Sequence, residues 1–125
     1  MEAENARRRR IAARYDAALE GLPVRRLAVR ADSLPARHLY PVRTPPGRRD
    51  ALRAHLADRG VETGVHYPVP LHLQPAYAFL GYREGDFPVS EDACATILSL
   101  PMHAGLSDGD ADFVTAAVRE FFEAA

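Results

Sequence analysis

The spacing of apolar positions predicts helices in five places along the chain. Apolar residues three or four positions apart mark one buried face of each longer helix. The predicted helices cover residues 3–20, the stretch from the Thr44–Pro46 start to about Arg59, a short segment at 74–80, a segment that Ser90 starts, and a last segment that Ser107 caps. Phe113, Ala117, Val118 and Phe121 are expected to face the core from the last helix.

Alternating apolar and polar residues predict short strands between these helices. Residues 24–30 and 37–43 are expected to pair, 61–67 to form a third strand, and 98–102 to form a last one. Pro41 has no amide donor, so we expect its strand to lie at an edge of the sheet or to bulge there. This order predicts the fold class α+β, a short mixed or antiparallel sheet covered by helices, in one domain spanning residues 1–125.

Composition and charge narrow the class of protein. The net charge is −1, which gives no general attraction for nucleic acid or for an anionic membrane. The single cysteine, Cys94, suits a reducing compartment, and its neighbours Ile97 and Leu98 indicate a buried structural thiol on a helix. There is no apolar run of membrane-spanning length and no secretory signal at the start. We interpret the chain as cytoplasmic, without nucleic acid or membrane partners.

The strongest functional signal lies in the segment VHYPVPLHLQPAYAFLGYREGDFPVSEDA, residues 65–93. Loops carry function more often than the elements they join, and the prolines make this loop stiff. Its side chains His66, Tyr67, His72 and Gln74 lie close together in sequence. The residues themselves therefore predict a ligand-contacting loop, without identifying the ligand.

Other motifs have simpler interpretations. The run Arg7–Arg10 is not accompanied by aromatic residues for base stacking, so a solvated helix face or a partner contact is favoured over nucleic-acid binding. The spacing of His66, His72, Cys94 and His103 differs from that of metal ligands, so no metal site is predicted. The sequence contains neither a Gly-x-Ser-x-Gly nucleophile turn nor a glycine-rich phosphate-binding loop.

Nearly the whole chain resembles the C-terminal small domain of the DegT/DnrJ/EryC1/StrS aminotransferases. Four segments in the family's order carry the resemblance. They are NARRRRIAARYDAAL (5–19), RHLYPVR (37–43), RRDALRAHLADRGVETGVHYPVPLHLQPAY (48–77) and GDFPVSEDACATILSLPMHAGLSDGD (85–110). The third of these includes the family's signature loop.

The resemblance implies the small domain of a fold-type I enzyme that depends on pyridoxal phosphate and transfers an amino group, typically from glutamate, to a keto-sugar nucleotide. In such enzymes the large domain supplies the lysine that binds the cofactor, and the small domain closes over the active site. Homodimers are usual. Carried over by position, His66 and Tyr67 lie toward the substrate entrance, with His72 and Gln74 on the descending side of the loop. The alternative is that Tyr67, His72 and Gln74 hold the loop to the domain.

The chain departs from the family in two respects. It is much shorter than family members, which suggests that the large cofactor-binding domain is absent, and all 16 basic residues are arginine. Pyridoxal-phosphate chemistry needs a lysine amine, so we expect no catalytic residue, no covalent cofactor attachment and no transamination by this chain alone. Three explanations remain open: a split enzyme whose large domain is a separate chain, a truncated remnant, or a non-catalytic nucleotide-sugar-binding or regulatory module.

A split enzyme predicts an exposed apolar surface where the large domain would dock. The first helix is the expected place, because in the full enzymes it bridges the two domains. Its face with Ile11, Tyr15 and Leu19 is therefore expected to be partly uncovered.

Overall fold

A computed structural model describes residues 1–124 and shows four α-helices and a three-stranded sheet in that part of the chain. In chain order the elements are α1 (Glu2–Ala18), β1 (Arg25–Arg26), β2 (Tyr40–Arg43), α2 (Arg49–Asp58), α3 (Pro88–Thr96), β3 (Ile97–Leu100) and α4 (Asp108–Glu123). Two 3₁₀ helices, Leu71–Leu73 and Pro75–Leu80, lie between α2 and α3. The predicted α+β class is confirmed.

The sheet is antiparallel, with strand order β1-β2-β3. The strand that contains Pro41 is therefore central, and the prediction of an edge position was wrong. Pro41 pairs with Ser99, whose backbone N and O bond to Gly64 on the other side of β3, so the Pro41 nitrogen points away from β3. On that side β1 reaches only Val42 and Arg43, and no neighbouring strand requires an amide from Pro41.

The predicted third strand at 61–67 is wrong. It is reduced to one bridge, in which Gly64 donates to Ser99 O at 3.1 Å and accepts from Ser99 N at 2.7 Å. Val61, the first residue of the predicted strand, is buried, but Tyr67, the last, is 69% exposed. The peptide between His66 and Tyr67 is cis, and the chain leaves the sheet there.

Two predicted helix starts were also wrong. The second helix begins at Arg49 and not at Thr44–Pro46, because Gly47 has φ = +75° and breaks the helical path. Thr44 is buried instead, with its amide donating to Thr96 O at 2.9 Å. The third helix begins at Pro88, so Ser90 lies inside it and caps nothing.

The last helix begins as predicted, with a capping box formed by Ser107 and Asp110. Ala117 and Val118 are buried and Phe121 is partly buried, as expected, but Phe113 is 54% exposed. The buried positions of α4 centre on Ala111, Val114, Thr115 and Val118. At 100° per residue, Phe113 lies well off that face.

The core joins α1, α2 and α4 to one face of the sheet. Tyr15 and Tyr40 meet at its centre with ring centroids 4.8 Å apart. The Tyr15 hydroxyl donates to Pro101 O at 2.9 Å, and the Tyr40 hydroxyl donates to Asp16 Oδ1 at 2.6 Å. Burial raises the pKa of both phenols, and Asp16 raises that of Tyr40 further. Both side chains therefore remain neutral hydrogen-bond donors in the folded state.

The apolar face of α1 is fully covered by this core. Ile11, Tyr15 and Leu19 are each no more than 2% exposed, so the expectation that this face would be partly uncovered was wrong. Arginines of the same helix reach the start of α4: Arg7 donates to Leu106 O at 2.8 Å, and Arg10 lies 3.3 Å from an Asp108 carboxylate oxygen. The arginine run thus serves helix packing, at least in part.

Candidate functional site

The first half of the predicted loop is fixed to β3. After the bridge between Gly64 and Ser99, the half-buried His66 places Nδ1 3.0 Å from the Ser99 hydroxyl oxygen. A Cβ on residue 64 would lie 2.5 Å from His66 Cε1, so the ring occupies space that only a glycine leaves free. Tyr67 follows with 69% of its surface exposed and its ring edge-on to His66 at 5.5 Å. The structure therefore places a fixed imidazole beside a phenol that faces solvent.

The second half of the loop consists of the two 3₁₀ helices. Gln74 separates them in an extended conformation, and its carbonyl accepts from the Tyr77 amide at 2.9 Å. No side-chain hydrogen bond of Gln74 occurs among residues 1–124. Gly81 ends the second 3₁₀ helix with φ = +76°, a conformation that favours glycine. Neither short helix buries a side chain in the core.

His72 is held by α3. Its Nε2 lies 3.0 Å from Glu91 Oε1, and its side chain is only 8% exposed. The imidazole also packs against Phe87, with ring centroids 4.7 Å apart. His72 thus belongs to an internal contact between the loop and α3, whereas Tyr67 faces outward.

Glu91 is the residue that the sequence did not identify. Its carboxylate accepts from the amides of Gly85 and Phe87 as well as from His72. The Gly85 amide contributes most to lowering the pKa of Glu91, followed by Phe87 and then His72. A glutamate in the first turn of a helix is ordinarily explained by the helix dipole, so nothing in the sequence distinguished it.

Beside this contact lies a cavity of about 300 Å³ with mostly apolar walls. It is lined by Leu71, His72, Tyr77, Leu80, Tyr82, Phe87 and Ser90. Several of these lining side chains are themselves exposed, among them Leu71 at 63% and Leu80 at 52%, and in the same segment of the chain Phe79 is 81% exposed and Val89 79%. Of the fourteen large apolar side chains that are exposed in residues 1–124, nine lie on the segment 67–89 and none on the apolar face of α1.

Two further residues, Cys94 and His55, pack within the fold. Cys94 is half-buried at the end of α3, where burial raises the pKa of its thiol. His55 Nε2 lies 3.0 Å from Ala117 O, and its ring packs edge-on against Phe121 at 5.3 Å. Among residues 1–124, no three His, Cys, Asp or Glu side chains converge as metal ligands do. None of the helices in that range has the length and apolar content needed to cross a bilayer.

Comparison with known sequences gives a match to the model of the DegT/DnrJ/EryC1/StrS aminotransferase family over residues 1–119. A dTDP-3-amino-3,4,6-trideoxy-alpha-D-glucose transaminase from Streptomyces venezuelae is 46% identical over 124 residues, covering 98% of this chain and 32% of its own length. The erythromycin biosynthesis sensory transduction protein EryC1 from Saccharopolyspora erythraea is 44% identical over 118 residues, covering 92% of this chain and 31% of its own. The chain spans about a third of the length of these curated relatives.

Solved structures agree with the sequence comparison. The crystal structure of S. venezuelae DesV in complex with ketimine intermediate superposes with a TM-score of 0.93 at 44% identity, covering 98% of this chain and 33% of that one. The Streptococcus pneumoniae protein named "Putative sugar aminotransferase Spr1654", solved in apo, PMP and PLP forms, superposes with a TM-score of 0.88 at 29% identity, covering 98% of this chain and 32% of that one.

Proposed function

Because the chain belongs to the DegT/DnrJ/EryC1/StrS aminotransferase family, we propose that residues 1–125 form the domain of a sugar aminotransferase that closes over the active site and contacts a keto-sugar nucleotide. The observation that carries the proposal is that 98% of the chain aligns with the S. venezuelae transaminase at 46% identity and superposes on S. venezuelae DesV with a TM-score of 0.93. The names of several relatives specify dTDP-linked sugars, so a nucleotide sugar is the proposed substrate class.

The residues of this chain do not fit covalent binding of pyridoxal phosphate. No lysine is present in the 125 residues, and an arginine guanidinium stays protonated and does not replace a lysine amine. The cofactor, proposed here at the level of the family, would therefore be held by a lysine-bearing domain outside these residues. We infer that the chain does not transaminate alone.

Substrate contact is proposed first for His66 and Tyr67. Bonding to Ser99 fixes the imidazole through Nδ1, and Nε2 has no hydrogen-bond partner among residues 1–124. Together with the exposed phenol of Tyr67, it offers two hydrogen-bonding groups for sugar hydroxyls or a diphosphate. Contact by His72 and Gln74 stays a prediction. The contact of His72 with Glu91 favours a role in holding the loop for that residue.

The lysine-bearing domain is also the proposed occupant of the exposed apolar surface on residues 67–89. The relatives carry about two thirds of their length outside the part that matches this chain, which supplies a partner of the required size. The surface adjoins the loop proposed to meet substrate, as it must if the active site forms where the two domains meet. Apolar side chains exposed to this extent commonly mark such an interface.

A chimera tests the proposal. This chain would replace the matching third of the S. venezuelae transaminase, and cofactor content and transamination of that enzyme's keto sugar would be measured. We expect a cofactor-bound, active protein in which His66→Ala and Tyr67→Phe each raise KM for the nucleotide sugar. His38→Ala, an exposed histidine outside the loop, serves as the matched control.

A folded, cofactor-bound chimera without activity would contradict the proposal, as would unchanged KM values in both loop variants. Turnover by the isolated chain supplied with glutamate, pyridoxal phosphate and keto sugar would contradict the inferred inactivity. Nucleotide-sugar binding by the isolated chain, combined with a failed chimera, would favour a binding or regulatory module.

A further inference from the structure

The Glu91 carboxylate joins three points of the segment 71–87. It accepts from His72 Nε2 at 3.0 Å, from the Gly85 amide at 3.0 Å through Oε1 and 2.9 Å through Oε2, and from the Phe87 amide at 3.2 Å. The bond to His72 spans 19 residues of chain. One side chain on the first turn of α3 thus closes most of the segment into a loop.

The rest of the segment offers little that could replace this anchor. Apart from His72, whose side chain packs under α3, the two 3₁₀ helices bury no side chain, and every residue from Pro75 to Ser90 is exposed. The rings of His72, Tyr82 and Phe87 pack on one another, with centroids 4.7 Å apart for His72 and Phe87 and 5.0 Å for Tyr82 and Phe87. The Glu91 carboxylate contacts two of these three residues, His72 through its ring and Phe87 through its amide.

We propose that Glu91 is a positioning residue, which fixes the 71–87 segment and the walls of the 300 Å³ cavity through the imidazole of His72 and the amides of Gly85 and Phe87. The role deepens the proposed function and rests on it, since the segment continues the loop that we expect to meet the sugar nucleotide. Glu91 itself is not required to touch substrate. Charged acceptors form stronger hydrogen bonds than neutral ones, which suits a carboxylate in this role.

The first test uses the isolated chain and needs no ligand. Solvent exchange of backbone amides would be measured by NMR in the wild type and in Glu91→Ala, Glu91→Gln and Glu84→Gln. Glu84 is an exposed carboxylate of the same segment, without a hydrogen bond among residues 1–124. We expect the Gly85 and Phe87 amides to exchange about tenfold faster in Glu91→Ala, as loss of a charge-assisted bond implies, and to change less in Glu91→Gln.

The ring signals of His72, Tyr82 and Phe87 should shift in both Glu91 variants and stay unchanged in Glu84→Gln. Unchanged exchange of the Gly85 and Phe87 amides in Glu91→Ala would overturn the proposal. Should the alanine variant not fold, the glutamine variant decides by the same criterion.

The second test uses the chimera described above. We expect Glu91→Ala to raise KM for the nucleotide sugar about tenfold and to change kcat by less than about twofold, the pattern of lost binding. Faster amide exchange without a change in KM would overturn the positioning role. If the parent chimera is itself inactive, the proposed function fails, and the exchange measurement still decides whether Glu91 holds the segment.

Discussion

Replacing Gly64 by alanine would test whether a glycine is needed at the bridge to leave room for the His66 ring. The new Cβ would lie 2.5 Å from His66 Cε1 and 3.2 Å from Nδ1, closer than van der Waals contact permits. Gly64 does not have a positive φ, so its backbone accepts alanine without strain. The imidazole must therefore move, and the hydrogen bond between His66 Nδ1 and Ser99 Oγ should break.

The expected cost follows from two opposing terms. Ser99 is 4% exposed, and loss of its only hydrogen-bonded side-chain partner among residues 1–124 costs about 1–3 kcal/mol. Alanine at a compatible glycine site gains about 0.4–1 kcal/mol by restricting the unfolded chain. We expect Gly64→Ala to lower the free energy of unfolding by about 1 kcal/mol, which is a fall of a few degrees in melting temperature.

A double-mutant cycle with His66→Ala isolates the contact. Without the ring, the added methyl group meets nothing of His66, and Gly64→Ala should stabilise the protein by about 0.4–1 kcal/mol. The coupling energy is then about 1–3 kcal/mol, measured by urea unfolding of the four proteins. Gly109→Ala is the control for adding a methyl group without a clash, because its Cβ would lie 3.9 Å from Ser107 Oγ. A coupling energy near zero, or His66 ring signals that do not shift in Gly64→Ala, would refute the reasoning.

Three further predictions concern stability. Leu56→Ala should cost about 2–5 kcal/mol in urea unfolding, since Leu56 is fully buried and leaves a cavity; a cost below 1 kcal/mol would contradict the described core. Ser107→Ala should lower the free energy of unfolding by about 1 kcal/mol, because it removes the capping box of α4. Ser90→Ala should change it by less than about 0.5 kcal/mol, because Ser90 lies inside α3. Equal effects of the two substitutions would argue against the observed helix starts. The hydrogen bond from Arg14 lowers the pKa of Asp112 below its usual 3.8. The ion pair should therefore stabilise the protein above pH 3.8 and lose this effect as the pH falls through the lowered pKa. The melting temperatures of Arg14→Gln and the wild type should then converge in acid.

Local signals in the sequence predicted the helices best where capping chemistry is explicit. The last helix begins at Ser107 as expected because its capping box lies within four consecutive residues. The predicted start of α2 was wrong because Gly47 adopts a left-handed conformation in a turn, which the sequence pattern did not indicate. The predicted strand at 61–67 was wrong because a buried Val61 gives the same sequence pattern with or without a paired strand. Short-range patterns report which side chain is buried, but strand pairing depends on distant partners.

The role of the loop residues in binding substrate stays a prediction. The structure places His66 beside Ser99, 33 residues away in sequence. Periodicity does not predict the Ser99 contact or the convergence of Gly85, Phe87 and His72 on Glu91. Each of these residues fits its own helix, strand or turn, so the sequence gives no sign that it has a distant partner. Exposure of apolar residues was likewise expected on α1, where the domain's own helix α4 covers them.

The two anchors of the loop lie on one continuous piece of the chain. His66 is held by Ser99 of β3, and His72 is held by Glu91 of α3, which runs directly into β3. Thr96, at the junction, accepts through its carbonyl from the Thr44 amide beside β2, so the piece is itself fastened to the sheet. The stretch from His66 to His72 is therefore tied at both ends to the same fastened unit and has little freedom to open by itself. We therefore expect closure over a substrate to move the domain as a whole, carrying His66 and Tyr67 with it, and not to move the loop as a separate lid.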